Sequence, residues 1–269
     1  MFEILLQEMK LRNFSLKTIK AYLFYNQKFI EFIKKSPKEI SGNDIRNYLL
    51  YLESKKKSTS MINLAHNALN FYYGIILRKN VNKIPFQKRE DTIKQILSKE
   101  EIKRLIDVTE NPKHKLVISL LYASGIRVSE LIKIRLEHLD LERKMLLVKQ
   151  GKGKKDRYTI LSENVIKMIK DYLNQRYYQN KYLFNSYQEH LSVRTIQEIL
   201  KQARQKARIN KNVHPHLLRH SFATHLMEND VPETKIQLLL GHKDIKTTQQ
   251  YARVTNKHLL GIQSPHDNL

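Results

Sequence analysis

Over roughly the first 80 residues, apolar side chains recur every three to four positions, the spacing of one helix face. Phe2, Leu5, Leu6 and Met9 form the first such stripe. Ser15 is placed to cap a second, which carries Ile19, Tyr22, Leu23, Phe29, Ile30 and Ile33. Ser41 opens a third through Ile45, Tyr48, Leu49 and Leu52, and Ser58 or Thr59 a fourth through Ile62, Ala65, Leu69, Tyr72 and Ile76. Lysines fill the polar faces, and Lys55-Lys56-Lys57 makes a basic loop. The pattern predicts four short helices with basic rims, a bundle over residues 1–82 suited to lying across phosphates. Around Pro85 and the charges that follow it the period fades, which predicts a linker over residues 83–97.

A new helical signal starts at once. Ser98 with Glu101 forms a capping box ahead of Ile102, Leu105 and Ile106. Pro112 suits the first position of a helix through Leu116, Leu120 and Leu121. Three short runs, His138–Leu141, Met145–Lys149 and Arg157–Leu161, read as strands. The last two flank Gln150-Gly151-Lys152-Gly153-Lys154-Lys155-Asp156, a turn rich in glycine and lysine. Further helices are expected from Ser162, Ser192, Pro215 and Pro232. The expected fold class is therefore mainly α with a small β-sheet or hairpin (α+β), the β part lying in a second domain over residues 98–269.

Composition sharpens this picture. A chain of 269 residues is long enough for two ordinary domains or one large one, and its 41% hydrophobic positions allow a sizeable core. Its formal net charge of +23 points to a polyanionic partner, with DNA or RNA ahead of a membrane surface. The ordinary account of the same charge is a solvated, lysine-rich surface of the kind an AT-rich genome encodes. No cysteine is present, which excludes disulfides, thiolate metal ligands and cysteine nucleophiles. No apolar run approaches the roughly 20 residues that span a bilayer. The opening segment is amphipathic, with Glu3, Glu8 and Lys10, and does not read as a signal. A soluble, cytoplasmic protein is expected.

Candidate chemistry gathers in the second domain. His216 and Arg219 stand three apart on one predicted helix, so both can face one ligand. Leu240-Gly241-His242 ends the next helix, with Gly241 as its C-cap. Tyr251 follows nine residues after His242. Upstream, Arg127 lies just after Gly125 at a helix start, and Lys152 sits at the hairpin tip. Each has an ordinary reading. Arg127 can pair with Glu130, Lys152 is one of several loop lysines with Lys154 and Lys155, and most other tyrosines lie on apolar stripes. His216 and His220, at i and i+4, can also be read as metal ligands, although no cysteine and no nearby acidic residue completes a site.

Taken in order, the arginine motif (Gly125–Leu131), the hairpin lysine (Gly151-Lys152-Gly153), His-x-x-Arg (His216–Arg219), Leu-Gly-His (Leu240–His242) and the terminal Tyr251 resemble the tyrosine recombinase (phage integrase) family. Pro215-His216-Leu217-Leu218-Arg219-His220, followed by Ala223-Thr224-His225-Leu226, is similar to the Xer-type subgroup.

The resemblance implies a two-domain DNA clamp and a metal-independent, cofactor-free exchange of DNA strands. Two guanidiniums, Arg127 and Arg219, would grip the crowded anionic phosphorus centre. His216 would help Tyr251, whose phenol ordinarily titrates near pH 10, to lose its proton. Lys152 would protonate the leaving 5′-oxygen, and His242 would hydrogen-bond the phosphate. Relatives imply a homotetramer on two double-stranded recombination sites, coupled by exchange of a C-terminal helix over Thr255–Ile262. They leave open a partner recombinase or DNA translocase. They also leave open whether the role is Xer-like chromosome-dimer resolution or integration and excision of a mobile element, at the nucleoid in either case. The rival readings are a non-catalytic DNA-binding protein, a type IB topoisomerase and a zinc-dependent nuclease.

Overall fold

The computed structural model describes residues 2–79, 81, 84–88, 95–149, 156–176, 180–186 and 189–241. Lys152, His242, Tyr251 and the expected helix over residues 255–262 lie outside the described residues. The chain divides into two compact units, Met1–Thr92 and Ile93–Leu269.

The first unit is built from α1 (Glu3–Leu11), α2 (Leu16–Ile33), α3 (Gly42–Ser54) and α4 (Thr59–Leu69). Three of these starts follow from serine chemistry. Ser15, Ser41 and Ser58 each accept the N–H three residues on, and Asp44 returns a bond to the Ser41 N–H, closing a capping box. Leu5, Met9, Phe29, Ile45, Leu69 and Tyr73 fill the core between the helices.

The fourth expected helix does not run through Ile76 as a single α-helix. After Leu69 it widens into a π-helical stretch, Asn70–Ile76, in which the Leu77 N–H reaches the Tyr72 carbonyl at 2.9 Å. Buried Asn26 meets this junction from α2, donating to the carbonyls of Ala68 (3.1 Å) and Tyr22 (2.9 Å). Part of the expected linker also packs on this unit. Asn63 exchanges two 3.0 Å hydrogen bonds with the backbone of Gln87, and the Phe86 ring lies 4.2 Å from that of His66.

Near the start of the second unit Leu97 is fully buried, and its N–H donates to Ser221 Oγ at 2.9 Å. There follow α5 (Lys99–Asp107), α6 (Pro112–Ser124) and the four-residue α7 (Val128–Leu131). An antiparallel sheet comes next, β1 (Leu139–Asp140), β2 (Met145–Val148) and β3 (Arg157–Ile160), in the order β1-β2-β3. Four helices follow among the described residues: α8 (Glu163–Asn174), α9 (Val193–Lys206), α10 (Pro215–Glu228) and α11 (Glu233–Leu240). Caps at Ser98, Ser162 and Ser192 start α5, α8 and α9. The fold is thus mainly helical with one small sheet.

The first expected strand is shorter than its sequence suggests. His138 closes a 3-10 turn instead, accepting the Arg135 N–H on Nδ1 at 3.1 Å. Helices α6 and α10 are buried on most sides and pack on each other, so their residues show little amphipathic pattern.

Candidate active site

Arg127 is the N-cap residue of α7, its backbone extended (φ −76°, ψ 152°) where α6 has just ended. Gly125 makes that ending possible. It caps α6 in the left-handed region (φ +59°), and a Cβ there would lie 2.3 Å from Phe222 Cδ1. A turn later Glu130 folds back. Its carboxylate accepts the Arg127 backbone N–H at 2.8 Å and the Arg127 Nη1 at 2.9 Å.

The same carboxylate takes both terminal nitrogens of Arg157, at 3.0 and 2.8 Å. One buried acid thus receives four charge-assisted hydrogen bonds, about the capacity of a carboxylate. Burial raises the Glu130 pKa, but the Arg157 and Arg127 bonds and charges outweigh it and bring the group down to about 2. It is a fixed anion that balances two cations. Among the described residues no other acceptor meets the Arg127 guanidinium, whose planar fork suits two oxygens of a phosphate.

Arg219 rises from the middle of α10 and is 3% exposed. It donates from Nη1 to the Gly125 carbonyl (2.6 Å) and from Nη2 to the Leu240 carbonyl (2.7 Å). The first contact ties α10 to the turn before Arg127, and the second ties it to the last turn of α11. Gly241 then caps α11 in the left-handed region (φ +64°), and the chain leaves toward residue 242.

His216 sits on the first turn of α10, behind Pro215 and the capping residue His214, whose Nδ1 accepts the Leu217 N–H at 3.2 Å. The residue reaches the surface, yet the protein crowded about its ring removes part of its water. That loss of hydration, followed by the positive charges of Arg219, His214 and Arg127, lowers the imidazole pKa below its ordinary value. A neutral ring with a lone pair available at neutral pH is the result.

The described residues therefore bring Arg127, His216 and Arg219 into one electrostatic neighbourhood. For Lys152, Val148 at the end of β2 pairs with Arg157 at the start of β3, on either side of the segment outside the described set. Gly241 is the described residue next to His242. His225 has a packing role, buried with Nδ1 2.9 Å from Tyr122 Oη. Among the described residues no three His, Cys, Asp or Glu side chains are grouped as metal ligands would be.

In the sequence Glu130 stands out only as a possible ion-pair partner of Arg127, and Arg157 only as a strand start. The signal that could have marked them is an arginine opening a strand just past the glycine- and lysine-rich turn, with a glutamate three residues after the candidate Arg127.

This arrangement of helices, a three-stranded sheet and a cluster of cationic side chains defines a class, and the chain belongs to the phage integrase family. That family's profile matches residues 95–258, and a profile described as the phage integrase N-terminal SAM-like domain matches residues 1–83. Among its relatives, a protein named tyrosine recombinase XerA from Pyrococcus furiosus is 38% identical over 258 residues, covering 93% of this chain and 88% of that protein. A crystal structure of XerA recombinase is 31% identical with a TM-score of 0.58, covering 96% of this chain and 97% of the other. The fold is also shared with the XerH site-specific recombinase bound to a palindromic difH substrate, at 22% identity and a TM-score of 0.79, covering 92% of this chain and 79% of that one.

Proposed function

We propose that this chain catalyses site-specific recombination of double-stranded DNA by the tyrosine recombinase mechanism. Tyr251 Oη attacks the scissile phosphorus, the P–O5′ bond breaks, and a 3′-phosphotyrosyl link forms. The phenolic proton passes to His216, which loss of hydration and then the neighbouring cations favour in its neutral form, ready to accept it. The departing 5′-oxygen takes a proton from Lys152 and leaves as a hydroxyl. Arg127, Arg219 and His242 neutralise and orient the nonbridging phosphate oxygens throughout. A 5′-hydroxyl from a second duplex reverses the chemistry, re-forming a phosphodiester and freeing Tyr251. The bond energy is held in the phosphotyrosine, so no cofactor or external energy source is needed. Repetition on the second strands resolves the Holliday junction.

The supporting observation is Arg219, buried on the carbonyls of Gly125 and Leu240. Through it the segments bearing Arg127, His216 and the approach to His242 share one anchor. Domains over residues 1–82 and 98–269, joined by residues 83–97, would hold the duplex as a clamp. Four protomers would assemble on two sites at the nucleoid, coupled by exchange of the helix over residues 255–262.

The reading is tested by trapping on a nicked suicide duplex, its site recovered by selecting random-sequence DNA on the protein. Wild type should yield a covalent protein–DNA adduct that survives EDTA, and Tyr251→Phe should bind the same DNA without forming it. An adduct lost in EDTA would instead favour a metal enzyme. Tight binding with no adduct from either protein would favour a non-catalytic binding role.

A further inference from the structure

Arg157 has no part in the chemistry just described, yet its side chain makes three hydrogen bonds beside the candidate site. It is the first residue of β3, paired with Val148 across the base of the hairpin that carries Lys152. Its side chain is only 10% exposed, and all three guanidinium nitrogens have partners. Nη1 and Nη2 hold the two Glu130 oxygens at 3.0 and 2.8 Å, and Nε donates to the Leu239 carbonyl at 2.9 Å. The aliphatic stem lies against Gly241, where an added Cβ would come within 2.7 Å of Arg157 Cδ.

Two consequences follow from this placement. First, Arg157 and Arg219 together cap the last carbonyls of α11, Leu239 and Leu240, so cationic donors fix the negative end of that helix just before residue 242. Second, Glu130 is shared. Its orientation toward Arg127 depends on the fork that Arg157 presents from the other side, because a carboxylate gripped at both oxygens cannot rotate. The strand leaving the hairpin, the helix start at Arg127 and the turn before His242 thus meet at one guanidinium.

We propose that Arg157 is a positioning residue for strand cleavage, fixing the start of β3, the Arg127 guanidinium and the Gly241 turn relative to one another without touching DNA. The proposal rests on the recombinase reading above. It explains why an arginine occupies this inward-facing strand position. A lysine could supply the charge, but its single nitrogen could not grip both Glu130 oxygens and the Leu239 carbonyl as the three guanidinium nitrogens do.

The test compares Arg157→Lys and Arg157→Ala with wild type and Tyr251→Phe on the nicked duplex described above. At saturating protein, the single-turnover rate of adduct formation should fall about 100-fold in both variants, the scale of loss that a small misplacement of catalytic groups produces. Affinity for the duplex should change by less than about threefold, because all three Arg157 nitrogens are engaged by Leu239 and Glu130 within the protein. Millimolar methylguanidinium should restore part of the rate in Arg157→Ala while leaving wild type unaffected. Arg157→Lys keeps a cation beside Glu130 and so covers the case in which the alanine variant fails to fold. Wild-type rates in both variants would overturn the proposal. So would losses of cleavage that track loss of affinity or of folded protein, with no response to methylguanidinium. Absence of an adduct from wild type itself would overturn the recombinase reading, and this inference with it.

Discussion

Glu130 shows how one buried side chain sets the charge balance of a site that must receive an anion. Its 9% exposure would be costly for a lone carboxylate, but two guanidiniums surround it. Because its folded pKa is lowered from 4.5 to about 2, the stabilisation it gives is complete above about pH 4.5 and is lost as pH falls toward 2. Glu130→Gln keeps the shape and removes the charge. Urea denaturation at pH 7 should show a loss on the order of 3 kcal/mol, the cost of leaving two partly buried cations without their counter-charge. The gap between variant and wild type should narrow at pH 3. A gap independent of pH would show that the carboxylate contributes by shape alone. His216 shifts in the same direction for a different reason, since loss of hydration and neighbouring cations both favour its neutral form.

At the scale of elements, the turn between α6 and α7 is the tightest constraint near the site. Gly125 adopts φ +59° with Phe222 and Leu240 packed where a Cβ would be. Gly125→Ala should cost about 2–4 kcal/mol, combining left-handed backbone strain with overpacking. Thermal unfolding would read this. Adding Phe222→Leu should recover only the packing share, and full recovery would mean that the left-handed backbone carries no cost. Strand β3 obeys the same logic of local demand. Arg157 and Thr159 turn inward, Thr159 Oγ1 donating to the Ser124 carbonyl at 2.8 Å, while Tyr158 and Ile160 are 56% and 37% exposed. Its polar residues serve the end of α6 and the Glu130 carboxylate, so the usual apolar-in pattern is reversed.

For the whole molecule, the formal charge of +23 and the family's two matching profiles fit a protein that meets a long polyanion along its length. The proposed assembly can be separated from DNA binding. Removing the residues after Thr255 should leave binding to a single site largely intact while weakening cooperative assembly on two sites, as read by electrophoretic mobility of paired-site complexes. Unchanged assembly would indicate that the tail folds on its own domain. No helix among the described residues is long and apolar enough to cross a membrane.

Much of this architecture was legible in the chain because its signals are local. Ser15, Ser41, Ser58, Ser98, Ser162 and Ser192 each satisfy a backbone N–H three residues away, so sequence alone located six helix starts. The same holds for Pro112 and Pro215 at first helical positions and for Gly241 as a C-cap. The order of the family motifs named the candidate chemistry. Tertiary structure alone decided the π-helical widening after Leu69, the inward turn of Arg157 and Thr159, the sharing of Glu130 between two arginines, and the burial of Arg219 on two distant carbonyls. In each case the partner lies on another element, as Ala68 does for Asn26, Ser124 for Thr159 and Leu239 for Arg157. Periodicity reports which face of an element is buried, whereas the need of a buried donor or acceptor for a partner is met only when the elements come together.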